Sequence, residues 1–462
     1  MSAEINEVRN DFTPDFELLN EMLESKQILK LKTELSEMNE YDVASFIEEI
    51  DDEKIIMVFR LLKKDVASDV FAYLPSDTQE HIIERINDTD LRDIIDDLFV
   101  DDVVDLLEEL PATVVRRILQ NANPAKRKTI NEFLQYADGS AGSIMTSEYV
   151  ALKKYMKVSD AISYIRRNAV DKETIYTCYV TSGQRQLEGV VTLKELVIAN
   201  EETVIEDIMD THVIRCVTAD NQEDVARMFT DYDLLALPVV DHEERIVGII
   251  TVDDAVDVIE EEATEDMEKM MAITPTEKPY LKTGVFETWK SRIPWLLLLL
   301  LSAIFTGSII GHYESALSKA VILTSFIPML MGTGGNSGSQ ASVTVIRGMS
   351  LGDIEFSDFL KVLWKEIQVS LLCGVTLAIV TFAEVCFLDG ESGWVIPLVV
   401  ALAMLVTVVI AKIIGCTLPM FAEKVGLDPA VMASPFITTL VDAISLVVFF
   451  KIACMLMPQL WY

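Results

Sequence analysis

One carboxylate stands alone in the most apolar part of this 462-residue chain. Asp442, in "ITTLVDAISLVVFF", is the sole charge across residues 429–450. It lies about a dozen residues into a segment long enough to cross a bilayer, hence near the midplane. A carboxylate there costs about 3 kcal/mol or more unless it meets a cation, water or a partner. An ion pathway satisfies it; so would a hydrogen bond from Ser or Thr, or an ion pair with Lys412 or Lys451. Lys412 lies nearer the cytoplasmic end of its span and Lys451 further outward, and both can reach toward the interfaces. The ion pathway is the favoured reading.

A second stretch poses the same problem with neutral groups. "MGTGGNSGSQAS" (Met331–Ser342) is flanked by apolar sequence, yet holds four glycines and is dense in hydroxyls and amides. Its G-x-G is not a phosphate loop, because no strand precedes it and no Gly-Lys-Ser/Thr follows. Small residues can serve close helix packing. Asn336, Ser337, Ser339 and Gln340, however, bring polar groups to membrane depth, where they must face a cavity or a partner. Pro328 is expected to loosen the helix just before. The pattern favours a pore wall.

The remaining chemistry is carboxylate. From Leu281 onward there are 12 acids and 10 bases, so the first 280 residues carry −34 of the net −36. Such charge disfavours nucleic acid and anionic lipid surfaces and attracts cations. The six cysteines form no C-x-x-C pair and the four histidines do not cluster. Oxygen ligands suited to Mg²⁺ or Ca²⁺ are abundant, whereas a zinc or copper site is not expected. No catalytic triad, metal-hydrolase motif or P-loop appears, so no enzyme is expected.

Three kinds of element must position these groups. From about Asp42 to Leu119 an amphipathic unit recurs every 10 to 13 residues ("DVASFIEEI", "DTDLRDIIDDL", "VDDVVDLLEEL"). Helices that short bury their stripes only by stacking, which predicts an α-helical superhelix. Gly142–Glu262 holds a weaker tandem repeat: Ile144-Met145 and Ile208-Met209 correspond, as do Gly189 and Gly248, in βαββα order. This repeat resembles a tandem pair of CBS domains. "TVDDAVDVIEEEATEDMEKMMAI" (Thr251–Ile273) reads as a helix without one base between Asp253 and Asp266. Five apolar segments then follow, at 293–311, 320–346, 366–388, 393–422 and 429–457. Arg347, Lys361, Lys365 and Lys424 fall on one side, while the "DGES" loop (Asp389–Ser392) on the other has no base. This places the N-terminus inside and the C-terminus outside. The opening "MSAEINEVRNDF" has no apolar core, so no signal peptide is expected.

The runs "PMLMGTGGNSGSQASVTVIRG" (Pro328–Gly348) and "GLDPAVMASPFITTLVDA" (Gly426–Ala443) resemble the signatures of the MgtE magnesium transporter family. The resemblance extends over almost the whole chain. It implies a multidomain protein: an acidic all-α superhelix (1–136), two α/β CBS units (137–200 and 201–263), a connecting plug helix and linker (253–284), and a five-helix transmembrane pore domain (285–462). It implies a homodimer in the cell membrane that passes Mg²⁺ through a pore at the dimer interface. Asp442 then matches the pore aspartate, and Gly332, Gly334, Gly335 and Asn336 match the pore-lining motif. The Thr438 carbonyl would face the ion, and Ser434 stands where a family member has Asn.

The same resemblance gives the acids a regulatory role, in which cytosolic Mg²⁺ bridges the plug helix to the other domains and closes the pore. Matching ligands are Asp254, Asp257, Glu262, Glu265 and Asp266 on the plug, and Glu223 and Asp233 in the second CBS unit, where Asn221 replaces an acid. Asp428 is a partner for Asp266, and Asp101 and Asp105 are the superhelix candidates. ATP is a candidate ligand of the CBS cleft, with Glu195 facing the ribose and Lys194 replacing the family's Arg. The alternatives are a Co²⁺/Mn²⁺ or Na⁺-coupled carrier, and a membrane-anchored nucleotide sensor.

Overall fold

The computed structural model describes residues 14–170, 172–276, 280–281, 283–388, 393–432 and 434–458. The "DGES" loop lies outside the described residues, as does the side chain of Ser434. The chain divides into two compact units, Met1–Ile259 and Glu260–Tyr462.

The first unit opens with short helices, α1 (Phe16–Glu24) to α10 (Pro124–Phe133). Asparagines punctuate them. The Asn39, Asn87 and Asn123 side chains accept from backbone N–H groups of the turns they begin, and Pro124 occupies a first turn whose N–H would be unpaired anyway. Each helix buries one stripe; α8 (Val100–Glu109) buries Val100, Val103, Val104 and Leu107. The cross-links run between helices two apart. Arg117 of α9 (Ala112–Asn121) bonds Asp88 of α7 (Asp88–Asp97) at 2.8 Å, and Arg92 donates to the Asn121 carbonyl at 3.1 Å. Alternate helices therefore stack, as the repeat requires.

Two three-stranded sheets follow, β1 (Ala151–Leu152), β2 (Thr177–Thr181), β3 (Leu187–Thr192) and β4 (Cys216–Val217), β5 (Ala236–Val240), β6 (Ile246–Thr251). Each joins a parallel pair to an antiparallel one, with α11 (Val158–Asn168) or α13 (Gln222–Tyr232) crossing over. α12 (Leu193–Ile198) follows β3. The two repeats exchange their opening segments. Met145 packs on Gly248 of the second sheet and Met209 on Gly189 of the first, where any Cβ would stand within 3.0 Å of them. The paired Ile-Met and Gly signals are thus the two halves of one pseudo-symmetric contact.

α14 (Val252–Met270) begins in the first unit and ends in the second. The second unit contains α15 (Val285–His312), α16 (Glu314–Lys319), α17 (Ile327–Ser350), α18 (Phe359–Leu388), α19 (Val395–Lys424) and α20 (Ser434–Leu456). Among the described residues, four helical stretches, Val285–His312, Phe356–Phe387, Val395–Lys424 and Pro429–Leu456, are long and apolar enough to cross a membrane. The expected span at 320–346 is not among them. Its first part is a 3₁₀ turn, Val321–Phe326, and α17 carries the glycines, hydroxyls and amides that dilute its hydropathy.

Candidate cation pathway and acidic clusters

α17 and α20 meet through glycine. A Cβ on Gly334 would lie 2.7 Å from Thr407 Cγ2 and 3.0 Å from Ser445 Oγ, and one on Gly335 would lie 2.2 Å from Thr438 Cγ2. Gly338 faces Ile437, Val441 and the Ala411 carbonyl, and Gly415 of α19 would bring a Cβ to 2.2 Å from the Gly338 oxygen. These contacts bring Gly334, Gly335, Thr438 and Asp442 to one level, since Asp442 lies one turn from both Thr438 and Ser445 on α20. Asp442 Oδ1 is buried and has no hydrogen-bond partner among the described residues.

The other face of α17 is different. Gly332, Asn336 and Gln340 are exposed at four-residue spacing, forming a polar stripe along a helix embedded in apolar neighbours. The glycine stretch thus has two roles: Gly334, Gly335 and Gly338 permit close helix packing, whereas Gly332 and Asn336 line the open face.

One expectation changes and one alternative falls away. Pro328 does not loosen a helix; it sits in the first turn of α17, directly after the 3₁₀ segment, where proline is favoured. Asp442 lies eight residues into α20, about 12 Å from Ser434, and halfway along the Pro429–Leu456 stretch. Lys412 does not pair with Asp442. Its ammonium lies 3.7 Å from Glu366 Oε2 of α18, with both side chains largely buried. That pair was not anticipated, because Glu366 sits at the edge of its apolar segment and reads as an interfacial residue.

In the first unit Asp101 is buried, and among the described residues neither its Oδ1 nor the Glu173 Oε2 has a hydrogen-bond partner. Burial and then the Asp254 charge push Glu173 up to about 8. Burial raises Asp102 and Asp254 to about 6 each, Asp102 also feeling Asp254. Asp101 is raised well above the usual carboxylate range by burial and by Asp102, Asp254 and Glu173. These four carboxylates therefore repel one another in a partly desolvated place. Glu173 and Asp102 were missed by sequence reading: Glu173 lies in a short loop far from the acidic runs, and Asp102 could not be told from Asp101 by spacing. Asp105, on the same helix, is exposed.

The Asp254 carboxylate also accepts from Thr251 N at 3.2 Å and Thr251 Oγ1 at 2.6 Å, which fixes it at the start of α14. Asp257 is exposed and Glu262 half-buried.

At the far end of α14, Lys269 Nζ lies 2.6 Å from Glu265 Oε1 and 2.7 Å from Asp428 Oδ2. Ser350, the last residue of α17, donates to Asp266 Oδ2 at 2.8 Å. Burial raises the Asp266 carboxyl, with Asp428 adding to it and the Ser350 hydrogen bond opposing. Met270 packs against Ile346 and Ala430. Glu265, Asp266 and Asp428 thus come together, and Lys269 is the cation that sequence reading overlooked. Across the described residues, no three His, Cys, Asp or Glu side chains converge closely enough to hold a metal ion.

In the CBS region, Glu195 caps its own helix, α12, accepting from Thr192 N at 2.7 Å and Thr192 Oγ1 at 2.8 Å, with Lys194 exposed beside it. Asn221 caps α13 by accepting from Glu223 N, and Glu223 pairs with Arg227 at 3.4 Å. Asp233 ends α13 in the left-handed conformation, φ 50°.

Comparison with known proteins gives this arrangement its class. The MgtE model, described as a divalent cation transporter, matches residues 327–452; the MgtE intracellular N domain matches 38–139, and CBS domains match 141–202 and 205–261. The class is therefore a divalent cation transporter carrying an MgtE-type N domain and a CBS pair. The magnesium transporter MgtE of Thermus thermophilus is 35% identical over 95% of this chain and 98% of its own. That of Bacillus subtilis is 31% identical over 94% and 95%. The chain belongs to the MgtE family. A crystal structure of the cytosolic domain of the Mg²⁺ channel MgtE in complex with ATP matches with TM-score 0.50 and 36% identity, covering 52% of this chain and 98% of that one. The soluble part of a magnesium transporter matches with TM-score 0.51 and 31% identity, covering 54% and 98%.

Proposed function

We propose that this protein is a Mg²⁺ channel or transporter of the cell membrane, working as a homodimer with the N-terminus in the cytoplasm and the C-terminus outside. α17 completes a five-helix membrane domain as its second span. The observation that carries the reading is Asp442: a half-buried carboxylate whose buried Oδ1 has no hydrogen-bond partner among the described residues, level with a glycine contact and not paired with Lys412, which faces Glu366. A membrane anchor gains nothing from such a group. The polar stripe of Gly332, Asn336 and Gln340 supports a second copy or a hydrated path on that face, because lipid cannot satisfy an amide.

The chemistry suits Mg²⁺. The ion dehydrates reluctantly, so a path lined by carboxylate, amide and carbonyl oxygens would pass it with its water shell largely retained. Two Asp442 side chains facing one axis would favour a divalent over a monovalent ion. Gly332, Gly334 and Gly335 would keep the path wide, while Asn336 and the Thr438 carbonyl would supply neutral oxygens. Ser434 is the further pore position carried over from the family.

Regulation rests on the acids. Asp101, Asp105, Asp254 and Asp257, with Glu223, Asp233 and Asn221, would hold cytosolic Mg²⁺ on the first unit. Glu262, Glu265, Asp266 and Asp428 would hold it at the end of α14. The unpartnered Asp101 oxygen supports the first set, whose carboxylates would repel one another until a cation is bound. Binding to the compact state alone shifts the population toward closure. ATP at the CBS cleft, near Glu195 and Lys194, is the corresponding reading of the ATP-bound relative.

Mg²⁺ uptake into proteoliposomes, with Co²⁺, Mn²⁺ and Na⁺ gradients as competing arms, tests the function. Uptake driven by the Mg²⁺ gradient alone is expected. A strict requirement for Na⁺ would replace the channel by a coupled carrier, and no uptake would leave the anchored sensor.

A further inference from the structure

Both carboxylate oxygens of Asp428 are engaged. Its Oδ1 accepts from Ala430 N at 2.8 Å, and its Oδ2 takes Lys269 Nζ at 2.7 Å. The same ammonium bonds Glu265 one turn earlier on α14. Lys269 therefore bridges two elements, the end of α14 and the segment leading into α20, through the carboxylates that the regulatory reading gives to Mg²⁺. Its side chain is 24% exposed, so the contact is partly desolvated. Three acids, Glu265, Asp266 and Asp428, surround this one base, so the neighbourhood stays net negative and still attracts a divalent ion.

We propose that Lys269 is a tethered competitor for the Mg²⁺ site at the end of α14, setting the concentration at which cytosolic Mg²⁺ engages Glu265, Asp266 and Asp428. The proposal rests on the regulatory reading above. Mg²⁺ and the ammonium compete for the same oxygens, because both require carboxylate acceptors and each Asp428 oxygen is already engaged. Engagement of the ion must displace Lys269 toward solvent, where its flexible four-carbon stem can carry it. The ion pair holds the same two elements together while Mg²⁺ is low, and the exchange replaces one positive charge by two. The threshold is then high because the site is never empty of cation.

The test is Mg²⁺ flux through full-length protein in proteoliposomes, with internal Mg²⁺ stepped, for wild type, Lys269→Gln and Lys269→Arg. Protease protection of the same samples is followed in parallel. Removing the resident charge should lower the half-closing Mg²⁺ concentration of Lys269→Gln by about threefold or more, as expected for a unit charge lost at contact distance in a partly solvated site. Lys269→Arg, which keeps the charge and can bind carboxylate through two N–H groups, should close at or above the wild-type concentration. An unchanged or raised threshold in Lys269→Gln overturns the proposal, since it would make the lysine a strut of the closed state. If that variant does not fold, a lowered threshold in Lys269→Arg overturns it equally. A wild type indifferent to internal Mg²⁺ would instead remove the regulatory reading itself.

Discussion

Adding one methyl group to Gly415 should separate the two helices that hold the pathway wall. In Gly415→Ala the new carbon would stand 2.2 Å from the Gly338 oxygen, 3.0 Å from the Gly338 carbonyl carbon and 3.2 Å from Ala341 Cβ. Contacting carbons sit at about 3.5–4.0 Å, so α19 and α17 must part by roughly 1 Å. The obstacle is backbone and cannot rotate away. Overpacking of this kind costs about 1–3 kcal/mol. Gly335→Ala meets Thr438 Cγ2 at 2.2 Å, but that methyl lies at the end of a side chain, so the cost should be smaller. Gly332→Ala meets nothing within 4 Å and should hold or slightly raise stability, because alanine is the better helix former. Thermal melting of detergent-purified protein should therefore rank Gly415→Ala below Gly335→Ala, with Gly332→Ala at or above wild type. Mg²⁺ uptake should fall for Gly415→Ala, and it should also fall for Gly332→Ala if that residue lines the path. A Gly415→Ala protein that melts with wild type would refute the packing argument. A Gly332→Ala protein that melts lower would refute the assignment of its open face.

Other expectations follow from the ionisable groups. Glu173 is raised from 4.5 to about 8, so the proton it binds stabilises the folded state. That contribution is complete below 4.5 and is lost as pH climbs through about 8. In chelator, full-length protein should melt lower at pH 8.5 than at pH 6, and Glu173→Gln should flatten the difference; a melting point that climbs with pH contradicts this. Lys412→Met leaves Glu366 buried beside no cation, so it should destabilise more than Lys412→Met with Glu366→Gln, because breaking a buried pair costs more than replacing it. A double variant less stable than the single one counts against that pairing. Neutralising Glu262, Glu265 and Asp266 together should leave flux open at millimolar internal Mg²⁺; persistent closure would make this acidic face only a solubility device.

Much of this architecture was legible in the residues. The 10-to-13-residue period foretold stacked short helices, because no such helix can bury its stripe alone. Ile-Met and Gly repeated at matched spacing because each packs on the other's partner across a pseudo-symmetric pair. Asp442 stood out through cost alone. What escaped notice depends on distance along the chain. Glu173 and Asp254 are 81 residues apart and Lys412 and Glu366 are 46 apart, and no local pattern announces that such residues meet. Lys269 escaped for a different reason: a base after a run of acids looks like a helical i,i+4 partner, which it is, and only the fold adds Asp428. Pro328 shows the same limit at an element boundary, where one turn decides whether a proline loosens a helix or begins it.

The central claim is that Asp442 lies on the cation path. Its most direct test is Mg²⁺ flux into proteoliposomes by Asp442→Asn and Asp442→Ala, each first shown to melt and dimerise like wild type. The account predicts that both lose most Mg²⁺ uptake, because the amide keeps the shape and removes the charge. Wild-type uptake by the Asn variant would contradict it.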